Sequence, residues 1–178
     1  ERKTTVKTRI ISKEKHQLRI DEEDVFPIRS EEIFIEKTIS LMKDTSIIML
    51  QDYNKGVLTP KIIKKLISTA KSMDIPIAVD PKKENFWNYK NVDLFKPNLK
   101  ELNDACKLNL NGAERSDLFN AVKALQKKLN AKSVLLTLSE NGMYYLKEEG
   151  IYQAALNRKI IDVSGAGDSV FSAASLAL

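Results

Sequence analysis

Short continuous apolar runs alternate with amphipathic segments along most of this chain of 178 residues. The runs "SIIML" (46–50), "IPIAV" (75–79) and "SVLLT" (133–137) have the length and composition of strands that are buried on both faces of a sheet. The segments between them place apolar residues at helical spacing, as in "TPKIIKKLISTAKSM" (59–73). Strands that alternate with helices predict an α/β fold, with a mostly parallel sheet sandwiched by helices.

Local signals predict where several elements begin. Ser30, which acidic residues follow, and Thr59, which Pro60 follows, are predicted N-caps of two helices. The segments "TTVKTRIIS" (4–12) and "HQLRID" (16–21) are typical of the two strands of a hairpin.

The organisation predicts a single domain over residues 1–178. Residues 1–22 form a small piece of strands, and residues 30–178 form the α/β core. A last helix is predicted to begin near Gly165.

Composition restricts the classes of function. The single cysteine, Cys106, excludes an internal disulfide and fits a reducing cytoplasm. No segment approaches the roughly 18 consecutive apolar residues of a membrane span, so we expect no membrane partner. The formal charge of +5 comes from lysines spread over many segments without interleaved aromatic residues. We therefore expect no nucleic-acid partner, and a small anionic ligand such as a phosphate ester fits this charge.

Polar residues follow five predicted strands, at the edge where open α/β sheets bind ligands. Three of these strands are the apolar runs given above, and the other two are "VDLFK" (92–96) and "RKIID" (158–162). The polar segments are "QDYNKG" (51–56), "DPKK" (80–83), "PNLKE" (97–101), "LSENG" (138–142) and "VSGAGDS" (163–169).

The segment from Gly165 to Asp168 suggests phosphoryl chemistry. The backbone N–H groups of Gly165, Ala166 and Gly167 at a helix start can form an anion hole for a phosphoryl group. Asp168 would then accept the proton of an attacking hydroxyl. The alternative is that Asp168 only favours the helix start and that the glycines permit a tight turn. A P-loop is excluded because the chain has no GxxxxGK[ST] motif.

The segment "DVSGAGDSVFSAASLAL" (162–178) resembles the C-terminal signature of the ribokinase-like (PfkB) carbohydrate kinases. The resemblance implies that Asp168 is the catalytic base and that the amides of 165–167 form the anion hole. It also implies ATP and Mg²⁺ as cofactors. "NLKE" (98–101) resembles the family's N-x-x-E motif, which implies that Asn98 and Glu101 organise the nucleotide phosphates. Glu101 would act on the metal indirectly, through water or phosphate, although Asn98 is also a plausible N-cap.

Longer segments resemble in particular the kinase domain of the ADP-heptose synthesis proteins. They include "TTVKTRIIS", "MLQDYNKGVLT" (49–59) and "FKPNLKEL" (95–102). The resemblance implies phosphorylation of D-glycero-D-manno-heptose 7-phosphate at its 1-position, in the cytoplasm, for lipopolysaccharide core precursors. The partners are then ATP and a small sugar phosphate, and relatives that dimerise through lid strands suggest a homodimer.

The same resemblance assigns further residues to two groups. Those expected near the nucleotide phosphates are Ser139, Glu140, Gly142 and Lys82, with Asp80 close by. Those expected to line the sugar pocket are Lys7, Arg9, Asp52 and Lys55, with Tyr53 beside them.

Family members are longer than this chain, so we expect a truncation at both ends. The segments then missing would carry a glycine pair that holds the sugar and helices that enclose the adenine. Two alternatives stay open. One is another ribokinase-family kinase, for ribose, fructose or a nucleoside, and the other is a non-catalytic fragment that binds nucleotide or sugar.

Overall fold

The computed structural model describes residues 2–12, 15–112, 114–156 and 165–178. Within these ranges the strands are β1 (Val6–Ser12), β2 (Lys15–Glu22), β3 (Ile48–Gln51), β4 (Ile77–Asp80), β5 (Leu94–Phe95), β6 (Ser133–Thr137), β7 (Met143–Leu146) and β8 (Gly150–Gln153). The α-helices are α1 (Glu31–Leu41), α2 (Pro60–Ser72), α3 (Leu99–Cys106), α4 (Arg115–Leu129) and α5 (Ala166–Leu176).

The main sheet has the strand order β3-β4-β5-β6-β7-β8. The strands β3 to β6 are parallel, and β7 and β8 continue the sheet with antiparallel pairing. The α/β sheet predicted from the alternation is therefore confirmed. Because β3 to β6 are parallel, their carboxyl ends lie along one edge of the sheet, where α/β folds bind ligands.

Helices cover both faces of this sheet. The larger apolar cluster includes Phe86, Tyr89 and Phe95, and α2 and α4 pack into it. On the opposite face Ala78, Leu94 and Leu135 form a smaller cluster with Phe171 of α5. Burial of Phe171 contributes about 2–3 kcal/mol to holding α5 against the sheet.

The strands β1 and β2 form a separate antiparallel hairpin, as predicted, with a register shift between Ile10 and Ile11. Every residue of β1 is exposed. The hairpin therefore lies outside both apolar clusters and is joined to the rest of the chain mainly through polar contacts.

Both predicted N-caps are confirmed, but only one of them makes a side-chain hydrogen bond. Thr59 caps α2, since its Oγ1 accepts a hydrogen bond from the backbone N–H of Ile62 at 3.3 Å. Ser30 occupies the N-cap position of α1, and its side chain makes no capping hydrogen bond. Glu31 and Glu32 in the first turn supply favourable charge instead.

The predicted strand at 158–162 lies outside the described residues. Among the residues that are described, no helix has both the length and the apolar character needed to span a membrane.

Candidate active site

A cavity of about 960 Å³ opens between the end of β3, the hairpin and the start of α5. It brings Asp168 together with the residues that the sequence assigned to the sugar pocket. Its polar lining includes Lys7, Arg9, Arg19, Asp52, Lys55 and Asp168.

The first amides of α5 precede its helical hydrogen bonds. Gly165 is left-handed, with φ of 77°, a conformation that glycine adopts without steric cost. The first helical hydrogen bond runs from the Ser169 N–H to the Gly165 carbonyl at 2.9 Å, so the amides of residues 166–168 come before the helical ladder. A Cβ built on Gly165 or Gly167 would meet no described atom within 4 Å. The anion hole expected at residues 165–167 stays a prediction.

Asp168 is exposed in the first turn of α5 and borders the cavity. The side-chain amide of Gln51 donates a hydrogen bond of 2.6 Å to its Oδ1. Sequence reasoning missed Gln51 as a site residue, although it opens the polar segment after β3. Its position at the last residue of a parallel strand was the available signal, because that position faces the ligand edge.

The two lysines predicted to line the sugar pocket form ion pairs with acidic residues. Lys7 lies 3.2 Å from Asp21 and 3.6 Å from Glu23, and Lys55 forms an ion pair with the same Glu23. Their charges are thus partly compensated before any ligand binds.

Arg9 is different because it lies directly opposite Arg19 in the hairpin. Like charges that face each other across two strands destabilise the pair. Arg19 lies 3.0 Å from Asp21, which compensates one of the two guanidinium groups. The sequence did not single out Arg19, because the register that brings it opposite Arg9 follows from the turn.

Asp52, predicted to line the sugar pocket, is 3% exposed and its carboxylate is already engaged. Its Oδ2 accepts hydrogen bonds from the Tyr89 hydroxyl at 2.7 Å and from the Asn85 amide at 3.0 Å. Its Oδ1 accepts from the backbone N–H of Asn54 at 2.8 Å. The carboxylate therefore fixes the loop after β3 from beneath the cavity.

Tyr89→Phe is expected to lower the free energy of unfolding by about 2 kcal/mol, because a buried hydrogen bond to a charged group is lost. Urea denaturation measures the change. Tyr145→Phe, on the half-buried β7 strand, is the matched control. Equal unfolding midpoints for the two variants would contradict the role given to the Tyr89 hydroxyl.

A second polar group lies at the start of α3. Asn98 and Glu101 form a capping box: the Asn98 Oδ1 accepts from the Glu101 N–H at 2.8 Å, and the Glu101 Oε2 accepts from the Asn98 N–H at 2.9 Å. The Glu101 Oε1 lies 2.5 Å from the Nζ of Lys82. Burial opposes the charged form of Lys82, but the Glu101 carboxylate raises its pKa above the usual lysine value. The N-cap predicted at Asn98 is confirmed, and the phosphate-organising role of the motif stays a prediction.

Asp80 and Lys96 form an ion pair of 3.0 Å at the ends of β4 and β5. Both are almost fully buried. Burial raises the pKa of Asp80 above its usual value, although the charge of Lys96 opposes the shift. The Lys96 ammonium also lies 5.8 Å from the centre of the Phe171 ring, which connects it to α5.

Tyr53 links the two polar groups. Its pKa is raised by burial and by the carboxylates of Asp168 and Asp80, while the charge of Lys82 opposes the shift. Lys82 in turn pairs with Glu101. The start of α5 and the Asn98–Glu101 segment therefore lie at the same edge of the sheet, as the sequence predicted.

The segment after β6 lies one strand further along this edge. Thr137 at the end of β6 bridges to Asn98 in parallel fashion. Ser139 and Glu140 follow in an exposed 3₁₀ turn, which ends at Gly142 with φ of 93°. These three residues do not line the cavity that holds Asp168. Their assignment to the nucleotide stays a prediction.

The residues fit an indirect metal role. Among the described residues, no group of three or more His, Cys, Asp or Glu side chains could hold a metal ion. Both oxygens of Glu101 already have partners, one in Lys82 and one in the Asn98 N–H. A Mg²⁺ brought in with nucleotide phosphates would thus meet Glu101 through water, where it could neutralise phosphate charge.

A parallel sheet whose ligand edge joins a helix start, an exposed carboxylate and a basic hairpin is an arrangement that suits the class of α/β kinases for small molecules. The model of the pfkB family carbohydrate kinases matches residues 1–178, and the chain belongs to this family.

Among its relatives, a Bifunctional protein HldE of Campylobacter jejuni is 40% identical over 179 residues, which cover 99% of this chain and 38% of that protein. The Bifunctional protein HldE of Wolinella succinogenes is 34% identical over 185 residues, covering 99% of this chain and 37% of the relative. The chain thus spans little more than a third of the length of these curated relatives.

Solved structures share the fold. Phosphofructokinase-2 of Escherichia coli in complex with substrates and products superposes with a TM-score of 0.73 at 23% identity, covering 97% of this chain and 56% of that one. Ribokinase of Arabidopsis thaliana complexed with ribose and ATP gives a TM-score of 0.64 at 18% identity, covering 85% and 49%. The predicted ribokinase-like fold is confirmed.

Proposed function

We propose that this chain is the kinase domain of an enzyme that transfers the γ-phosphoryl group of ATP to a hydroxyl of a phosphorylated sugar. The observation that carries the proposal is the shared cavity: Asp168 lines it together with the basic residues Lys7, Arg9 and Arg19 of the hairpin. The same cavity is thus lined by a carboxylate that can act as the base and by basic side chains that can bind an anionic acceptor.

In the proposed reaction, Asp168 takes the proton of the acceptor hydroxyl while that oxygen bonds to the γ-phosphorus. The bond between this phosphorus and the bridging oxygen breaks, and ADP leaves. The first amides of α5 stabilise the charge on the transferred group. Glu101 is the residue that would hold Mg²⁺ indirectly, and the ion would supply neutralisation of phosphate charge there.

The hairpin favours an acceptor that carries its own phosphate. Arg9 and Arg19 face each other, and a phosphate dianion between them would relieve their repulsion and accept bidentate hydrogen bonds. Asp21 Oδ1 is buried without a hydrogen-bond partner among the described residues, and it can accept from a sugar hydroxyl.

The specific acceptor that we propose is D-glycero-D-manno-heptose 7-phosphate, phosphorylated at its 1-position in ADP-heptose synthesis. The support is the resemblance of the segments 4–12, 49–59 and 95–102 to the kinase domain of those proteins. Identities of 34–40% to proteins named HldE over nearly the whole chain agree with it. We further propose that residues 1–178 act as one cytoplasmic kinase domain and that the hairpins of two copies associate.

A substrate panel tests the proposal on the intact protein. ADP release is measured with MgATP and heptose 7-phosphate, and in parallel with heptose, ribose, fructose, fructose 6-phosphate and a nucleoside. We expect the highest kcat/KM for heptose 7-phosphate. A preference for an unphosphorylated sugar would overturn the assignment of the acceptor. Calorimetric binding of MgATP without ADP release for any acceptor would favour a non-catalytic binding domain.

Glu101→Gln is expected to raise the KM for MgATP about tenfold or more while leaving stability nearly unchanged. The amide oxygen of glutamine can still accept from the Asn98 N–H, but the negative charge that pairs with Lys82 and orients the metal is lost. Glu101→Ala is the matched comparison, because it removes the cap as well and should cost about 1 kcal/mol of unfolding free energy. Steady-state kinetics and urea denaturation separate the two effects. An unchanged KM in both variants would refute the nucleotide role of Glu101.

A further inference from the structure

The geometry points to Gln51 as a positioning residue for the proposed base: its side-chain amide fixes Oδ1 of Asp168, so that Oδ2 is the oxygen that receives the proton of the acceptor hydroxyl. The inference rests on the proposed function and deepens it. Sequence reasoning assigned Gln51 no role of its own, although the segment 49–59 contains it, and it lies 117 positions before Asp168.

Gln51 is attached to the most regular part of the site. It is the last residue of β3 and pairs in register with Asp80 of the neighbouring strand β4. The next residue continues this pairing, since the Asp52 N–H donates to the Asp80 carbonyl at 3.0 Å. The backbone before and after Gln51 in the sequence is thus paired with β4, and the side-chain amide of Gln51 extends from this paired segment.

Asp168, in contrast, is exposed in the first turn of a helix. A carboxylate at such a position has several rotamers of similar energy. The 2.6 Å hydrogen bond from Gln51 Nε2 selects the rotamer that borders the cavity. Among the described residues, Gln51 is the side chain that hydrogen bonds to Asp168, so the second carboxylate oxygen stays available to a ligand.

The chemistry of a glutamine suits this task. An amide N–H donates to a carboxylate oxygen without bringing a second charge to the site. A lysine or arginine here would form an ion pair with Asp168, and a glutamate would place a second carboxylate beside it.

A purely structural role, in which Gln51 only ties α5 to β3, makes a different prediction. The helix is already anchored by the burial of Phe171, which is 1% exposed. Loss of one exposed hydrogen bond would then change stability slightly and leave kcat unchanged.

The test compares Gln51→Leu, Gln51→Glu and Asp168→Asn in the intact protein. Gln126→Leu is the matched control, because the Gln126 amide ties two other segments by donating to the carbonyls of Lys132 and Lys147. The measurements are kcat and KM between pH 5 and pH 9 and the affinity for MgATP.

For Gln51→Leu we expect a fall in kcat of about tenfold at neutral pH, with MgATP affinity unchanged. The KM for the acceptor sugar should also be unchanged, because the variant loses the group that sets the rotamer of Asp168 and not a group that binds substrate. Gln51→Glu should lower kcat as well, since an ionised carboxylate cannot donate a hydrogen bond to Asp168 Oδ1. Gln126→Leu should leave kcat and KM unchanged.

The outcomes distinguish the role of Asp168 as the base from the role of Gln51 as its positioning residue. If Asp168→Asn abolishes turnover while Gln51→Leu and Gln51→Glu keep the wild-type kcat, the role of Gln51 is refuted and the proposed base survives. If Asp168→Asn remains active, the proposed function of Asp168 fails, and the inference about Gln51 fails with it. If Gln51→Leu does not fold, the nearly isosteric Gln51→Glu gives the same readouts and decides the question.

Discussion

Asp168→Asn is expected to lower kcat by about 10²–10⁴-fold while MgATP still binds with nearly wild-type affinity. The asparagine keeps the shape of the side chain, and its oxygen can still accept the hydrogen bond from Gln51, so the geometry of the cavity is retained. What is lost is the ability to take up the proton of the acceptor hydroxyl. Single-turnover phosphoryl transfer and calorimetric titration with MgATP measure the two quantities separately.

Asp74→Asn is the matched control for this variant. Asp74 is exposed and follows α2 at the opposite edge of the sheet, with a positive φ of 54° that asparagine tolerates well. It should leave turnover unchanged. Wild-type turnover in Asp168→Asn would remove the basis of the proposed mechanism, and equal losses in the two variants would point to a general effect on folding.

Lys96→Met is expected to cause the largest loss of stability, about 3–5 kcal/mol at neutral pH, because it leaves the buried Asp80 carboxylate without its partner. Chemical denaturation followed by circular dichroism gives the free energy of unfolding. The double variant Asp80→Asn with Lys96→Met should lose much less, since no buried charge is then left unpaired.

The loss in Lys96→Met should depend on pH with a defined sign. Burial already raises the pKa of Asp80 above the ordinary value of 3.8, and removing Lys96 raises this pKa further. A group whose pKa is raised by folding favours the folded state in its protonated form. The loss of unfolding free energy in the variant is therefore complete at pH values above the pKa that Asp80 has in the variant. The loss becomes smaller as the pH falls toward 3.8. A deficit that stays constant over this range would contradict the assignment of the effect to Asp80.

The sequence was sufficient to predict features that depend on local patterns. The apolar runs at 46–50, 75–79 and 133–137 predicted the strands β3, β4 and β6, because burial on both faces leaves a continuous apolar run. The "GAGD" segment likewise predicted an open helix start, since only glycine adopts the φ of Gly165 without strain.

Features that depend on partners distant in the sequence were not predictable in this way. The role inferred for Gln51 depends on its contact with Asp168, and the sequence around the two residues does not indicate that their side chains meet. Asp52 lines the cavity, but its support of the loop through the buried hydroxyl of Tyr89 depends on a partner 37 positions away that no local pattern indicates. The pairing of Lys7 with Asp21 depended on the register of the hairpin, which a one-residue slip would have changed.

The exposure of β1 along its whole length has a consequence for ligand binding. Because little apolar surface is buried when the hairpin docks, local opening of the hairpin should require much less free energy than unfolding of β4, whose four residues are all buried. An anion that bridges the hairpin guanidinium groups and the start of α5 would then supply the missing docking energy itself. Part of the anion's binding free energy is then used to order β1 and β2. The fraction of sites that hold the anion and the fraction of hairpins that are docked should therefore increase together.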